Sequence, residues 1–176
     1  MRKVFGVGLP RTGTQSLTMV AKMLGLKTSH PRQGGYMPDE EVDFMADTPA
    51  WADWKELAEK YPNAGFILTI RDITLWESSF WNVLGTFTRY TLKNPPREHD
   101  EIDYMNYLAY KKVFKSPRFI TQDNLPNIFR EHNTAVMDYM KANNRDLLVL
   151  DVSKETALLQ FTKWMDMELV NFPRVR

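Results

Sequence analysis

The sequence predicts a three-layer α/β/α fold around a mostly parallel central sheet. Three observations predict it. Strand-like apolar runs alternate with segments of helical period, the pattern of successive βαβ units. The strongest run, Gly65-Phe66-Ile67-Leu68-Thr69-Ile70, is apolar almost throughout, as a parallel strand covered on both faces must be. The chain opens with Val4-Phe5 and Val7, passes through a glycine-bearing loop, and enters an amphipathic segment from Leu17 to Leu26. That order reads as strand, tight loop, helix.

Bulk properties bound the answer. A length of 176 residues suits one domain, 1–176, with one good core. An apolar content of 43% with five tryptophans argues for a folded globule. The net charge of +1 offers no global attraction to nucleic-acid polymers or membranes, so any anion site must be local. No cysteine is present, which excludes disulfides, thiolate chemistry and cysteine-bound metal. No apolar run approaches the ~20 residues of a membrane span, and no secretory leader is expected ahead of the first strand. A cytoplasmic protein is expected.

The elements follow in order. A strand is expected over 3–8 and a helix from Thr14 to Leu24, with Leu17, Val20, Ala21 and Leu24 as its buried stripe and Gly25 as its C-cap. Leu26 to His30 then leads into a polar, Gly-rich surface loop, with weak strands near 27 and 44. Thr48-Pro49 reads as an N-cap followed by proline at the first helical position, opening a helix through Trp51, Trp54 and Leu57. After the 65–70 strand, a helix runs through Leu75, Trp76, Ser79, Phe80 and Val83. Residues 86–118 are the least regular part, broken at Lys93 to Glu98; this segment is expected to be an acceptor-side or lid insertion. A long amphipathic helix spans Asp123 to Asn143, a buried strand 147–151, and a last helix capped by Ser153 follows.

Chemistry concentrates in the first loop. Gly8 and Gly13 have the G-x-x-x-x-G spacing of a phosphate-binding loop, with a cation at Arg11 and hydroxyls at Thr12, Thr14 and Ser16. Backbone N–H groups there, and the positive end of the next helix, make a cradle for an anion. Nucleoside triphosphatases continue the motif with Lys and then Ser or Thr; here Thr14 and Gln15 occupy those positions. The loop suits phosphate but lacks the usual triphosphate and metal equipment.

Other candidates lie where strands end, the edge at which open α/β sheets bind ligands. Asp47 follows the strand near 44 and either serves a site or caps a helix. His30 is either an exposed loop histidine or a group whose proton affinity suits neutral pH. Arg71 ends the central strand and either joins an anion site or pairs with Asp72 or Glu77. Ser79, two helical turns on, reads alone as a small core-facing residue. Tyr90, Tyr104, Tyr107, Tyr110 and Phe114 either belong to the core or line an acceptor pocket.

At these residues the chain resembles PAPS-dependent sulfotransferases, and within them the small group whose loop reads GLPRTGT. Four passages carry the resemblance: Gly8 to Thr14; Asp47-Thr48-Pro49 before a Trp-rich helix; Ile67 to Asp72 continuing through Trp76 to Ser79; and Phe172-Pro173. The resemblance implies the fold of P-loop nucleotide kinases and transfer of a sulfuryl group from PAPS to a hydroxyl or amine, releasing PAP, without metal. It implies that Pro10, Arg11, Thr12, Gly13, Thr14, Gln15 and Ser16 hold the 5′-phosphosulfate. It also implies that Arg71 and Ser79 hold the ribose 3′-phosphate. Arg11 would stabilise transition-state charge, and His30 or Asp47 would be the general base, His30 ranking first. The family's C-terminal Arg-Lys-Gly loop is not recognisable here; Arg174 and Arg176 are candidate substitutes. The acceptor is a small molecule, a glycan or a lipid, and an oligomer is compatible. Competing readings are a non-catalytic PAP- or nucleotide-binding protein of the same fold, and an atypical P-loop kinase or NTPase.

Overall fold

The computed structural model describes residues 2–30 and 39–167. Among these residues five parallel strands form one sheet: β1 (Val4–Gly6), β2 (Thr28–Ser29), β3 (Phe44–Ala46), β4 (Gly65–Ile70) and β5 (Asp146–Asp151), in the order β2-β3-β1-β4-β5. Seven α-helices accompany them among the described residues: α1 (Thr14–Met23), α2 (Trp54–Lys60), α3 (Ile73–Phe80), α4 (Thr86–Lys93), α5 (Glu101–Phe114), α6 (Leu125–Ala142) and α7 (Ala157–Trp164). None of them is long and apolar enough to cross a membrane.

Strand alternation sorts the core into layers. Phe5, Val7, Met45, Phe66 and Leu68 face one side, where they meet Leu57 and Ala58 of α2 and Val136 and Met140 of α6. Val4, Phe44, Ala46 and Ile67 face the other, against Leu17 and Ala21 of α1 and Ala157 and Phe161 of α7. A third cluster lies around α3, α5 and the start of α6, where Trp51, Trp76, Phe80, Phe114 and Phe129 gather with Leu9.

β1 is the switch point of the sheet. The chain leaves it on one face through α1 and reaches β2 at an edge; it later crosses the opposite face through α2 to reach β4. The loops after β1 and β3 thus diverge, which leaves a crevice above the carboxyl ends of the strands.

Several local expectations need correction. Thr48 caps no helix: α2 starts six residues later behind Asp53, and the Thr48 hydroxyl accepts from Trp51 Nε1 at 3.2 Å. Trp51 is fully buried, and seating it holds residues 48–52 in turns instead of a helix. Ser153 caps nothing either; its N–H and hydroxyl both bond Asp151 Oδ1, closing a turn directly after β5. β5 is an edge strand, with Val149 40% exposed, and not the buried strand expected. The 86–118 segment is largely helical: α3 passes through a π-helical turn, Trp81–Gly85, straight into α4, and α5 follows after residues 94–100. The Gly-rich loop after His30 and the tail with Phe172, Pro173, Arg174 and Arg176 lie outside the described residues.

Candidate functional site

The β1–α1 loop is fixed from several sides. Gly8 must be glycine, because a Cβ there would stand 2.1 Å from Thr69 Oγ1 and 2.5 Å from the Thr69 carbonyl oxygen. The Thr12 hydroxyl donates to the Leu9 carbonyl at 2.7 Å and lies 2.6 Å from Thr69 Oγ1. Trp76 Nε1 of α3 donates to the Pro10 carbonyl at 2.9 Å. Gly13 has φ +101°, and a Cβ on it would stand 2.0 Å from Val152 Cγ2. Arg11 has φ 75°, a left-handed conformation costing a non-glycine residue about 1 kcal/mol or more.

The loop delivers an uncapped helix N-terminus. Leu17 makes the first helical bond, to the Gly13 carbonyl, so Thr14, Gln15 and Ser16 keep N–H groups without intrahelical acceptors. The Gly13 cap position supplies no side-chain bond, and the first turn holds no acidic residue. The positive end of the helix is therefore directed at whatever sits above it.

A cleft of about 390 Å³ opens there. Pro10, Arg11 and Gly13 line it from the β1–α1 loop and Thr14, Gln15 and Ser16 from the first turn of α1, with His30 after β2, Asp47 and Thr48 after β3, and Arg71 after β4. Both arginines thus face one cleft. Arg11 Nε donates to Ser79 Oγ at 3.1 Å, and its terminal nitrogens have no hydrogen-bond partner among the described residues. Arg71 Nη1 donates to the Arg11 carbonyl at 3.3 Å. It does not pair with Asp72, whose carboxylate instead caps α3 through the N–H groups of Thr74 and Leu75. Asp151 carries a carboxyl held below the usual range, first by its bond from Ser153 and further by the Lys154 and Arg71 cations.

His30 is not an exposed loop histidine; it is 1% exposed, and its Nε2 lies 3.3 Å from Asp47 Oδ2. Asp47 has φ 70° and its Oδ1 accepts from Thr48 N at 3.0 Å. The two side chains form an acid–base pair at the edge of the anion-binding corner. Thr12 is placed differently from the expectation. Its hydroxyl is spent inside the loop, and it does not line the cleft. Ser79 is half-buried and meets Arg11, and so is not a core residue.

The opposite wall comes from the segment that looked least regular. Leu84, Phe87, Ile102, Asn106 and Tyr110 line the cleft there. Tyr110 serves both core and cleft, since it also stacks on Trp51 with ring centroids 5.9 Å apart. Phe114 belongs to the core alone, and Tyr90 is 65% exposed. The i, i+4, i+8 spacing of Ile102, Asn106 and Tyr110 was a readable signal for one helical face. A second residue escaped the sequence reading: His132 of α6, buried, with Nε2 donating to the Val7 carbonyl at 2.8 Å.

Comparison with known proteins agrees with this fold. The sulfotransferase-domain family model matches residues 36–175, most of the chain, and the chain belongs to that family. The match includes Asp47, Arg71 and Ser79 and starts after the β1–α1 loop. Ava biosynthesis cluster protein M of Aspergillus versicolor is 33% identical over 113 residues, which covers 48% of this chain and 44% of that relative. The chain thus spans less than half the length of that protein.

Proposed function

We propose that this member of the sulfotransferase-domain family uses PAPS as donor and transfers its sulfuryl group to a hydroxyl or amine acceptor. The observation that carries the reading is the shared cleft: Arg11, Arg71 and the uncapped N-terminus of α1 converge on one space, with the His30–Asp47 pair beside them. The donor set fits a molecule with two separate anionic ends. It supplies N–H groups and fixed cations.

Within this reading Thr14, Gln15 and Ser16 give their N–H groups to the phosphosulfate end, and Arg71 takes the 3′-phosphate. Ser79 holds the Arg11 guanidinium by Nε, which leaves the terminal nitrogens to stabilise negative charge as it develops. Bound PAPS supplies the sulfuryl group; attack by the acceptor atom forms the new bond to sulfur as the bond to PAP breaks. His30 accepts the acceptor's proton, and Asp47, 3.3 Å away, stabilises the imidazolium that results. Asp47 is the alternative base, reached directly. The whole chain acts as one sulfotransferase-like domain, with 86–118 as its acceptor-side cover. A kinase or NTPase reading lacks support, because Thr14 and Gln15 replace the lysine and the metal-binding hydroxyl.

Calorimetry without metal tests the donor. PAP is expected to bind more tightly than 5′-AMP or ATP. Arg71→Ala removes a charge-assisted contact of about 1.5–3 kcal/mol, so PAP binding should weaken roughly 10- to 100-fold while 5′-AMP binding holds. Tighter binding of ATP than of PAP would overturn the reading; equal losses for PAP and 5′-AMP would overturn the 3′-phosphate assignment.

A further inference from the structure

The two walls of the cleft differ in chemistry. Among the described residues, all its charged side chains, Arg11, Arg71, Asp47 and the ionisable His30, belong to the strand-end wall. The facing wall, from the π-helical turn, α4 and α5, contributes Leu84, Phe87, Ile102, Tyr110 and one amide, Asn106. Leu84 and Phe87 are three residues apart, and Ile102, Asn106 and Tyr110 recur every four, so each set shares one helical face. Phe87 and Tyr110 meet edge to face, with ring centroids 6.3 Å apart at 83°. Tyr110 is anchored by Trp51 and Phe114 behind it. An aromatic corner braced in this way is a rigid surface for a flat ring.

Two features suit this wall to a bound molecule. Phe87 and Ile102 are each 46% exposed although they line a cleft, leaving apolar area that a bound molecule would cover. The half-buried Asn106 amide, set between Ile102 and Tyr110, has no hydrogen-bond partner among the described residues. An amide there offers both a donor and an acceptor to one polar group on a ligand.

We propose that this wall is the acceptor subsite and that it selects an uncharged, flat aromatic alcohol. The ring lies against Phe87, Ile102 and Tyr110, its hydroxyl is directed to the His30–Asp47 pair, and Asn106 bonds a second polar substituent. Among the described residues this wall offers a sugar or polyol only the Asn106 amide and the Tyr110 hydroxyl, and an anionic acceptor meets the Asp47 carboxylate with no cation beside the ring. This inference rests on the sulfotransferase reading, and it names the acceptor class that reading leaves open.

Binding of 2-naphthol to the full chain saturated with PAP tests it, with glucose as the polyol control. Both ligands are titrated by calorimetry, and PAP is titrated alone for every variant. The expected result is saturable 2-naphthol binding, at least tenfold tighter than glucose. Phe87→Asp and Ile102→Asp should each weaken it at least tenfold, because a carboxylate is then placed against the ring. Asn106→Leu should weaken 2,6-dihydroxynaphthalene at least fivefold more than it weakens 2-naphthol. The PAP titration shows whether a variant is folded with its donor end intact; a variant that fails it is replaced by Phe87→Ala or Ile102→Ala, with the same direction expected. PAP binding without 2-naphthol binding, equal affinity for glucose, or indifference to the wall substitutions overturns the acceptor inference alone. Absence of PAP binding to the unsubstituted chain overturns the sulfotransferase reading itself.

Discussion

Acidification should weaken this fold through His132, and the size of that contribution follows from its surroundings. His132 sits on α6 facing β1, 7% exposed, with Nε2 2.8 Å from the Val7 carbonyl. A carbonyl only accepts, so this nitrogen carries the hydrogen. Burial pushes the ring's pKa down from 6.5 to about 4, and the bond to Val7 opposes that shift without cancelling it. An unfolded histidine titrates near 6.5. Between about pH 6.5 and pH 4 the unfolded chain therefore takes up a proton that the folded chain refuses. The contribution is fully present above about pH 6.5 and is lost as the pH falls towards 4. The whole gap corresponds to about 3 kcal/mol, and the part lost by pH 5 to about 2 kcal/mol, a sizeable share of a typical 5–15 kcal/mol stability. Asp39, Glu56 and Asp151 also have lowered pKa values, so their losses begin only below their ordinary values of 3.8 to 4.5 and leave the interval above pH 5 to histidine. Urea unfolding at pH 7.5, 6.0 and 5.0 reads the effect. His132→Gln keeps an N–H donor for Val7 but cannot titrate, so it should lose about 2 kcal/mol less than the unsubstituted chain between pH 7.5 and 5.0. Equal pH dependence in the two proteins would refute the argument.

Gly8→Ala forces a methyl group against the backbone of β4, which cannot withdraw without breaking the sheet; thermal unfolding should show a loss of about 1–3 kcal/mol, and an unchanged midpoint would contradict the placement of the loop. His30→Gln and Asp47→Asn should leave PAP affinity within a few-fold while transfer to 2-naphthol slows, by about 10²–10⁴ for the true base and less for its partner; unchanged turnover in both removes the pair from the chemistry. Ser79→Ala releases Arg11 Nε and should lower kcat more than it weakens PAP binding, because the cation loses its orientation while its charge stays; a loss confined to PAP affinity would contradict that role.

Much of this was legible along the chain because it is local. The Gly8–Gly13 spacing specifies a tight turn onto a helix, and the structure has Gly13 at φ +101° just there, with α1 ending by Gly25 at φ +85°. The apolar run 65–70 became the strand next to β1, and Asp47 and Arg71 fall at strand ends as the pattern of runs required. Turn chemistry was less dependable. Thr48-Pro49 and Ser153 both carry the local preferences of helix starts, yet Trp51 found a buried seat and Asp151 offered Ser153 a nearer acceptor, so neither starts a helix.

By itself, the sequence determined the alternation of strands and helices, the glycine loop with its cation, and the absence of lysine and metal-binding hydroxyl where a triphosphatase has them. Each of these depends on residues a few positions apart, whose geometry is set by backbone sterics and helix or strand period. Only the tertiary structure decided that Arg11 and Arg71 share one cleft, that His30 is buried against Asp47, that Ser79 steers Arg11, and that Asn106 stands in an apolar wall facing them. Those pairings join residues from 17 positions apart, as in His30 and Asp47, to 68, as in Arg11 and Ser79. They exist because the parallel sheet gathers every strand's carboxyl end on one edge, and a sequence pattern carries no measure of that distance.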